Sequence, residues 1–257
     1  MDVLKSLALA FSCFTRLPVP KVDWDSKNMR FMLACLPIVG IAVGCIVAAW
    51  CLIADALGLG TMLKAAGIAL LPLAITGGFH LDGYSDVVDA QSSHADPAKK
   101  REILKDPHIG SFAAMAVAAY LIAYFAIATE LPAGWRIAVL LLCLHVMSRC
   151  GSGFASSVFW GNGSAGMLTS FRDSSDVRFN AGVVIGFFIV TGIVAIAISP
   201  ACGIAMIVAE VLLLVWLNVF ADRNFGGMSG DVAGFFLQVC ELVLLACIMI
   251  AAKAVGL

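Results

Sequence analysis

AGVVIGFFIVTGIVAIAISP, residues 181–200, runs directly into ACGIAMIVAEVLLLVWLNVF, residues 201–220, with Glu210 the one charged side chain in the whole stretch. A bilayer core about 30 Å thick takes about 20 apolar residues as a helix. Each half is therefore long enough for one crossing. Pro200 has no N–H to continue a helix, so it marks the turn between two antiparallel spans.

Five more blocks of the same kind lie on either side: residues 31–54, 64–79, 111–129, 135–158 and 232–252. The block at 64–79 is short, and the block at 135–158 carries Arg149. Hydrophobic residues make up 61% of the 257 and charged residues 13%, against about 45–50% and about 25% in soluble domains. The expected fold is all-α: one polytopic transmembrane bundle over residues 1–257, with about seven spans and no internal repeat. The apolar run at 7–14 is too short to cross and leads to Arg16 with no small-residue cleavage site. It fits an interfacial helix lying on the membrane.

Basic residues set the orientation. With the N-terminus inside, the inner segments carry Lys5, Arg16, Lys21, Lys27, Arg30, Lys99, Lys100, Arg101, Lys105, Arg149, Arg172, Arg178 and Arg223. The outer segments carry only Lys64, Arg136 and Lys253. By the positive-inside rule the long polar segments face the cytoplasm. The net charge of −1 gives no electrostatic support to a nucleic-acid partner. The nine cysteines include no C-x-x-C pair and read as soft packing residues.

The longest polar interval, residues 81–110, is where chemistry is expected. Just before and within it the chain reads TGGFHLDGYSDVVDA, residues 76–90. Asp82, Asp86 and Asp89 recur at i, i+4 and i+7, which puts three carboxylates on one helix face. Like charges so placed call for a cation among them, and hard oxygen donors suit Mg²⁺ or Mn²⁺. A solvated helix face is the plainer alternative. Gly77 and Gly78 either let backbone approach a ligand or kink the helix end. His80 frames the cluster.

Further along comes KKREILKDPHIGS, residues 99–111. Its basic run suits a headgroup anchor or a phosphate clamp, with Lys105 and Asp106 the better clamp residues. Gly110 and Ser111, opening the third span, offer backbone N–H groups to an anion. Arg16 sits in a Pro-flanked turn. Arg149, at membrane depth, is expected to face a polar cavity. In FGGMSGD, residues 225–231, Gly227 belongs to a turn beside phosphate, and Asp231 is either an N-cap or a further metal ligand. Glu210 and Glu241 should face the protein interior.

Taken together, TRLPVP (15–20), GGFHLDG (77–83), Asp86-x-x-Asp89, ILKDPHIG (103–110) and Gly226-Gly227-x-x-Gly230-Asp231 occur in an order that resembles the cobalamin synthases, the adenosylcobinamide-GDP ribazoletransferases. The resemblance runs from about Phe14 to Glu241. It implies that adenosylcobinamide-GDP and α-ribazole, or its 5′-phosphate, give adenosylcobalamin, or its 5′-phosphate, and GMP. It also implies a Mg²⁺ requirement, an inner-membrane location and metal-binding acids at Asp82, Asp86, Asp89 and Asp231. Two departures stand out: Tyr84, Ser85 and Ala90 around the acids, and GNGSAGM (161–167), which lacks the Arg and acid the family tends to place there.

The expected scheme has the ribazole hydroxyl displacing GMP. Asp86, Asp89 or His80 takes the proton, Lys105 and Arg149 steady the phosphoryl group, and Arg16, Gly77, Gly78, Asp106, Gly110 and Gly227 contact substrate. A CDP-alcohol phosphotransferase and a cation-coupled transporter are the alternatives. A homo-oligomer is compatible with all of these readings.

Overall fold

The computed structural model describes residues 2–163 and 166–257. Among these, every regular element is helical. In chain order the helices are α1 (Asp2–Phe14), α2 (Ser26–Met29), α3 (Leu36–Ala56), α4 (Thr61–Thr76), α5 (Phe79–Ser92), α6 (Pro97–Ile103), α7 (Ser111–Thr129), α8 (Trp135–Val158), α9 (Met167–Ser174), α10 (Val177–Ile198), α11 (Pro200–Phe225) and α12 (Gly230–Ala254). Six stretches are long and apolar enough to cross a bilayer: Ser26–Ala56, which contains α3, and then α7, α8, α10, α11 and α12. A seventh results if α4 and α5, bent by 95° at their junction, count as one crossing. The chain is thus the polytopic helical bundle its composition demands.

The α10–α11 junction follows from its residues. Ser199 alone separates the two helices, and its side chain accepts a hydrogen bond from the Cys202 N–H. Pro200 opens α11 at the first helical position, where its missing N–H costs nothing. α8 is the buried centre of the bundle. Gly40 lets α3 lie directly on it, since a Cβ at that position would stand 2.6 Å from the His145 carbonyl oxygen. α1 is too short to span. It buries Ser6, Leu9 and Ala10 and leaves Val3 and Leu4 exposed, as an interfacial helix should.

The interval expected to be a long polar loop is largely helical. α5 and α6 lie at the end of the bundle that also carries α9 and the α11–α12 turn. α4, at 16 residues, is about 24 Å long and stops at Gly77 and Gly78, both in the left-handed region (φ 67° and 79°) that glycine adopts without strain. The pair therefore makes the sharp elbow, and α5, far more polar than α4, leaves it almost at a right angle. Arg16 secures the elbow. Its N–H donates to the Ile75 carbonyl at 2.7 Å, and its side chain lies over Gly77, a cation at a helix C-terminus.

Candidate active site

α5 carries Asp82, Asp86 and Asp89, as the spacing requires, and lies against the start of α12. The contact is close because Gly83 has no side chain: a Cβ there would stand 2.8 Å from the Asp231 carbonyl oxygen. A Cβ on Gly234 would likewise stand 3.1 Å from the His80 carbonyl oxygen. This packing brings Asp231 beside Asp82. Asp231 is not the N-cap of α12. That position belongs to Ser229, whose side chain accepts from the Val232 N–H, and Asp231 follows in the first turn.

Asp82, Asp231, His80, Lys105 and Arg101 line one cavity of about 230 Å³, together with Ser152, Ser156 and Asn162 and an apolar portion from α1, α3 and α9. Asp86 is one helical turn from Asp82. Its carboxyl is pushed up to about 7, first by burial and then by the charges of Asp82, Asp231 and Asp89. Among the described residues, no group of three or more His, Cys, Asp or Glu side chains converges as a ready metal cage. The donors nonetheless fit Mg²⁺, which keeps several waters and needs only one or two carboxylates. Asp82 and Asp231 are neighbouring carboxylates on the cavity, and the mutual repulsion raising Asp86 is what a cation would relieve.

Asp89 has a different task. It accepts a hydrogen bond from the Gly110 N–H at one oxygen and from the Ala113 N–H, 3.0 Å away, at the other. The anion expected at the start of α7 is therefore Asp89 itself. A Cβ on Gly110 would collide with that carboxylate. We expect Gly110→Ala and Asp89→Ala each to destabilise the protein by about 1–3 kcal/mol. The double variant should cost no more than the worse single one, because both remove the same cap. Thermal unfolding in detergent measures this, and additive losses would contradict a shared cap.

Arg149 departs from its expected role as a stabiliser of the phosphoryl group. It does not line the cavity. Its guanidinium is 1% exposed and is ion-paired with Glu241 of α12, with His145 Nδ1 3.1 Å away and the Ser148 hydroxyl 3.0 Å away. Arg16, Gly77 and Gly78 form the elbow and likewise lie off the cavity lining. Asp106 is exposed and bound to His108, accepting from its N–H at 3.0 Å. Gly227 (φ 130°) packs against the Trp160 carbonyl and helps join the segments at 160–162 and 226–228, where the Met228 N–H donates to the Trp160 carbonyl at 2.8 Å. Ser164 and Ala165 of the 161–167 stretch lie outside the described residues.

The basic run resolves into three separate contacts. Lys99 pairs with Glu102 at 2.7 Å in solvent. Lys100 is buried and donates to Gln91 and Asn224, both at 2.9 Å. Arg101 donates to the Phe225 carbonyl at 3.0 Å while lining the cavity. Arg101 was visible only as part of the basic run, and Ser152, Ser156 and Asn162 of the cavity carried no signal in the sequence.

The family profile described as cobalamin-5-phosphate synthase, CobS, matches residues 6–249. Three similar proteins are each named adenosylcobinamide-GDP ribazoletransferase. The protein from Lachnoclostridium phytofermentans is 32% identical over 98% of this chain and 95% of its own. That from Clostridium botulinum strain Alaska E43 is 32% identical over 94% and 96%. That from Geobacillus kaustophilus is 30% identical over 92% of each. No solved structure matches this chain. With the acids, the glycine crossing and the basic rim all falling inside the matched region, the chain belongs to the cobalamin-5-phosphate synthase family and is an enzyme of that type.

Proposed function

We propose that this enzyme joins adenosylcobinamide-GDP to α-ribazole, or to α-ribazole 5′-phosphate, and releases GMP, with the reaction seated in the cavity between α5, α6, α9 and α12. The observation that carries the reading is the meeting of two carboxylates, Asp82 and Asp231, with two cations, Arg101 and Lys105, around one opening. A pyrophosphate needs both, the cations directly and the acids through a metal. Asp82 and Asp231 would hold Mg²⁺, with Asp86 behind them; the ion supplies charge neutralisation for the phosphates.

The remaining work falls to side chains. Lys105 and Arg101 orient the phosphates of the GDP-bearing substrate. The ribazole hydroxyl forms a new bond to the cobinamide-side phosphorus while the bond from that phosphorus to the GMP oxygen breaks. Asp86, set back one helical turn from Asp82, is the base for the hydroxyl proton, in the ionised form that a bound cation would favour. Asp89 is committed to two amides, and burial pushes the His80 imidazole down to about 3, so His80 is neutral and serves in contacts. The corrinoid is far larger than the cavity and stays outside it. Family membership also separates the chain from the CDP-alcohol phosphotransferase and transporter alternatives.

The decisive experiment places the purified protein in liposomes with adenosylcobinamide-GDP, α-ribazole and Mg²⁺. GMP and adenosylcobalamin should appear in equal amounts by mass spectrometry, and absence of GMP would overturn the reading.

The site should face the cytoplasm, a reading supported by the 13-to-3 division of basic residues. Reporter fusions after Lys105 and after Leu257 should read inside and outside. Five spans separate the two points, so outside after Lys105 and inside after Leu257 would mean that α4 does not cross, and readings on the same side would mean an even number of spans between them.

A further inference from the structure

The cavity has two chemically distinct parts. Asp82, Asp231, Arg101 and Lys105 belong to one. The other is built from rings. Phe14, the last residue of α1, meets Phe79 edge-on with centroids 5.5 Å apart, and Phe171 of α9 edge-on at 6.5 Å. Leu33 and Leu36 complete this lining. Trp24 stacks behind Phe171 at 6.3 Å, which holds that ring in place.

One polar group in this part lacks a partner. The His80 ring lies 5.8 Å from Phe14, is 4% exposed, and its Nδ1 has no hydrogen-bond partner among the described residues. A buried ring nitrogen left unpaired is costly and is normally satisfied by something. Aromatic edges and leucines beside one imidazole suit a flat, mostly apolar ring.

The two substrates bring three heterocyclic bases, and the adenine of the adenosyl group stays outside the cavity with the corrinoid, which leaves two candidates. Guanine presents several donors and acceptors, which phenylalanine and leucine cannot pair. The dimethylbenzimidazole of α-ribazole presents two methyl groups and one unsubstituted ring nitrogen. We propose that the pocket formed by Phe14, Phe79 and Phe171, with His80 as hydrogen-bonding partner, seats the benzimidazole ring of α-ribazole and thereby selects the base that the enzyme installs. This inference rests on the ribazoletransferase reading above. It accounts for an apolar portion that phosphate chemistry alone does not need.

The selection follows from burial. Removing the two methyl groups forfeits apolar contact, and an adenine ring in their place buries an amine and extra ring nitrogens without partners. The test uses the wild-type enzyme in liposomes at fixed adenosylcobinamide-GDP and Mg²⁺, with GMP release as readout. α-Ribazole should exceed the unmethylated benzimidazole riboside by about 10-fold in kcat/KM, and the α-linked adenine riboside by about 100-fold or more. Phe171→Ala should raise KM for α-ribazole about 10-fold, shrink the preference among bases, and leave KM for adenosylcobinamide-GDP within about twofold. Equal kcat/KM for the three ribosides in the wild type would overturn the assignment, with no variant needed. A Phe171→Ala enzyme with KM raised only for adenosylcobinamide-GDP would also overturn it and give the pocket to guanine. No GMP release with any riboside would overturn the ribazoletransferase reading itself.

Discussion

Asp82→Asn and Asp86→Asn should each lower turnover roughly 10²-fold or more, on the scale of losing one electrostatic stabiliser of a transition state. Asparagine keeps the shape and removes the charge that a divalent cation, or a departing proton, requires. These variants should unfold at no lower temperature than the parent. Asp86 is held near neutral pH by burial and by its acidic neighbours, so without a cation the cluster is repulsive and removing one charge relieves it. Loss of GMP release with unchanged melting is therefore the expected pair of results. Near-full activity in either variant would show that its charge plays no part in the chemistry. Asp89→Asn should behave in the opposite way, acting mainly on stability, because its oxygens bind the start of α7.

The second large effect concerns the bundle core. Arg149→Met leaves Glu241 buried without its cation, and Glu241→Gln leaves Arg149 without its anion. Each should destabilise the fold by about 3–5 kcal/mol, the usual cost of breaking a buried pair from one side. The double variant should recover most of that loss, since no unpaired charge remains. Melting temperature and the yield of folded protein in detergent report both effects. The double variant also decides what Arg149 does. A folded double variant should keep substantial activity if the arginine serves the core, and a loss of more than about 10²-fold would return it to the phosphoryl group.

The spans were readable because lipid imposes long apolar blocks and permits few charges within them. Pro200 and the Gly77–Gly78 pair were readable because each restricts or frees the backbone locally. α6 was not legible and α5 showed only in the i, i+4, i+7 spacing of its acids, because helices rich in polar side chains leave no apolar block to find. The partnerships were hidden by distance along the chain. Arg149 finds Glu241 92 residues away, and Asp89 reaches Gly110 across 21 residues. Asp231 meets Asp82 only because two glycines let α5 and α12 touch. The motif showed Gly83 but not what it would lie against. For the same reason the three adjacent basic residues looked interchangeable until α6 sent each to a different partner.

α4 ends at the elbow that launches the acidic helix, and it is the helix that matches the bilayer worst. Its 16 residues fall about 6 Å short of the hydrocarbon thickness. Met62, Leu63 and Leu70 face outward along it, so the shortfall is met by lipid rather than by protein. Hydrophobic mismatch costs fractions of a kcal/mol per Å, and over this gap it reaches on the order of 1–3 kcal/mol. If α4 crosses by itself, the annular lipid thins, or α4 draws the elbow toward the midplane against the grip of α12 on α5. Where α4 crosses as a span of its own, acyl-chain length becomes a variable in the placement of Asp82, and the membrane acts on α5 as a mechanical load.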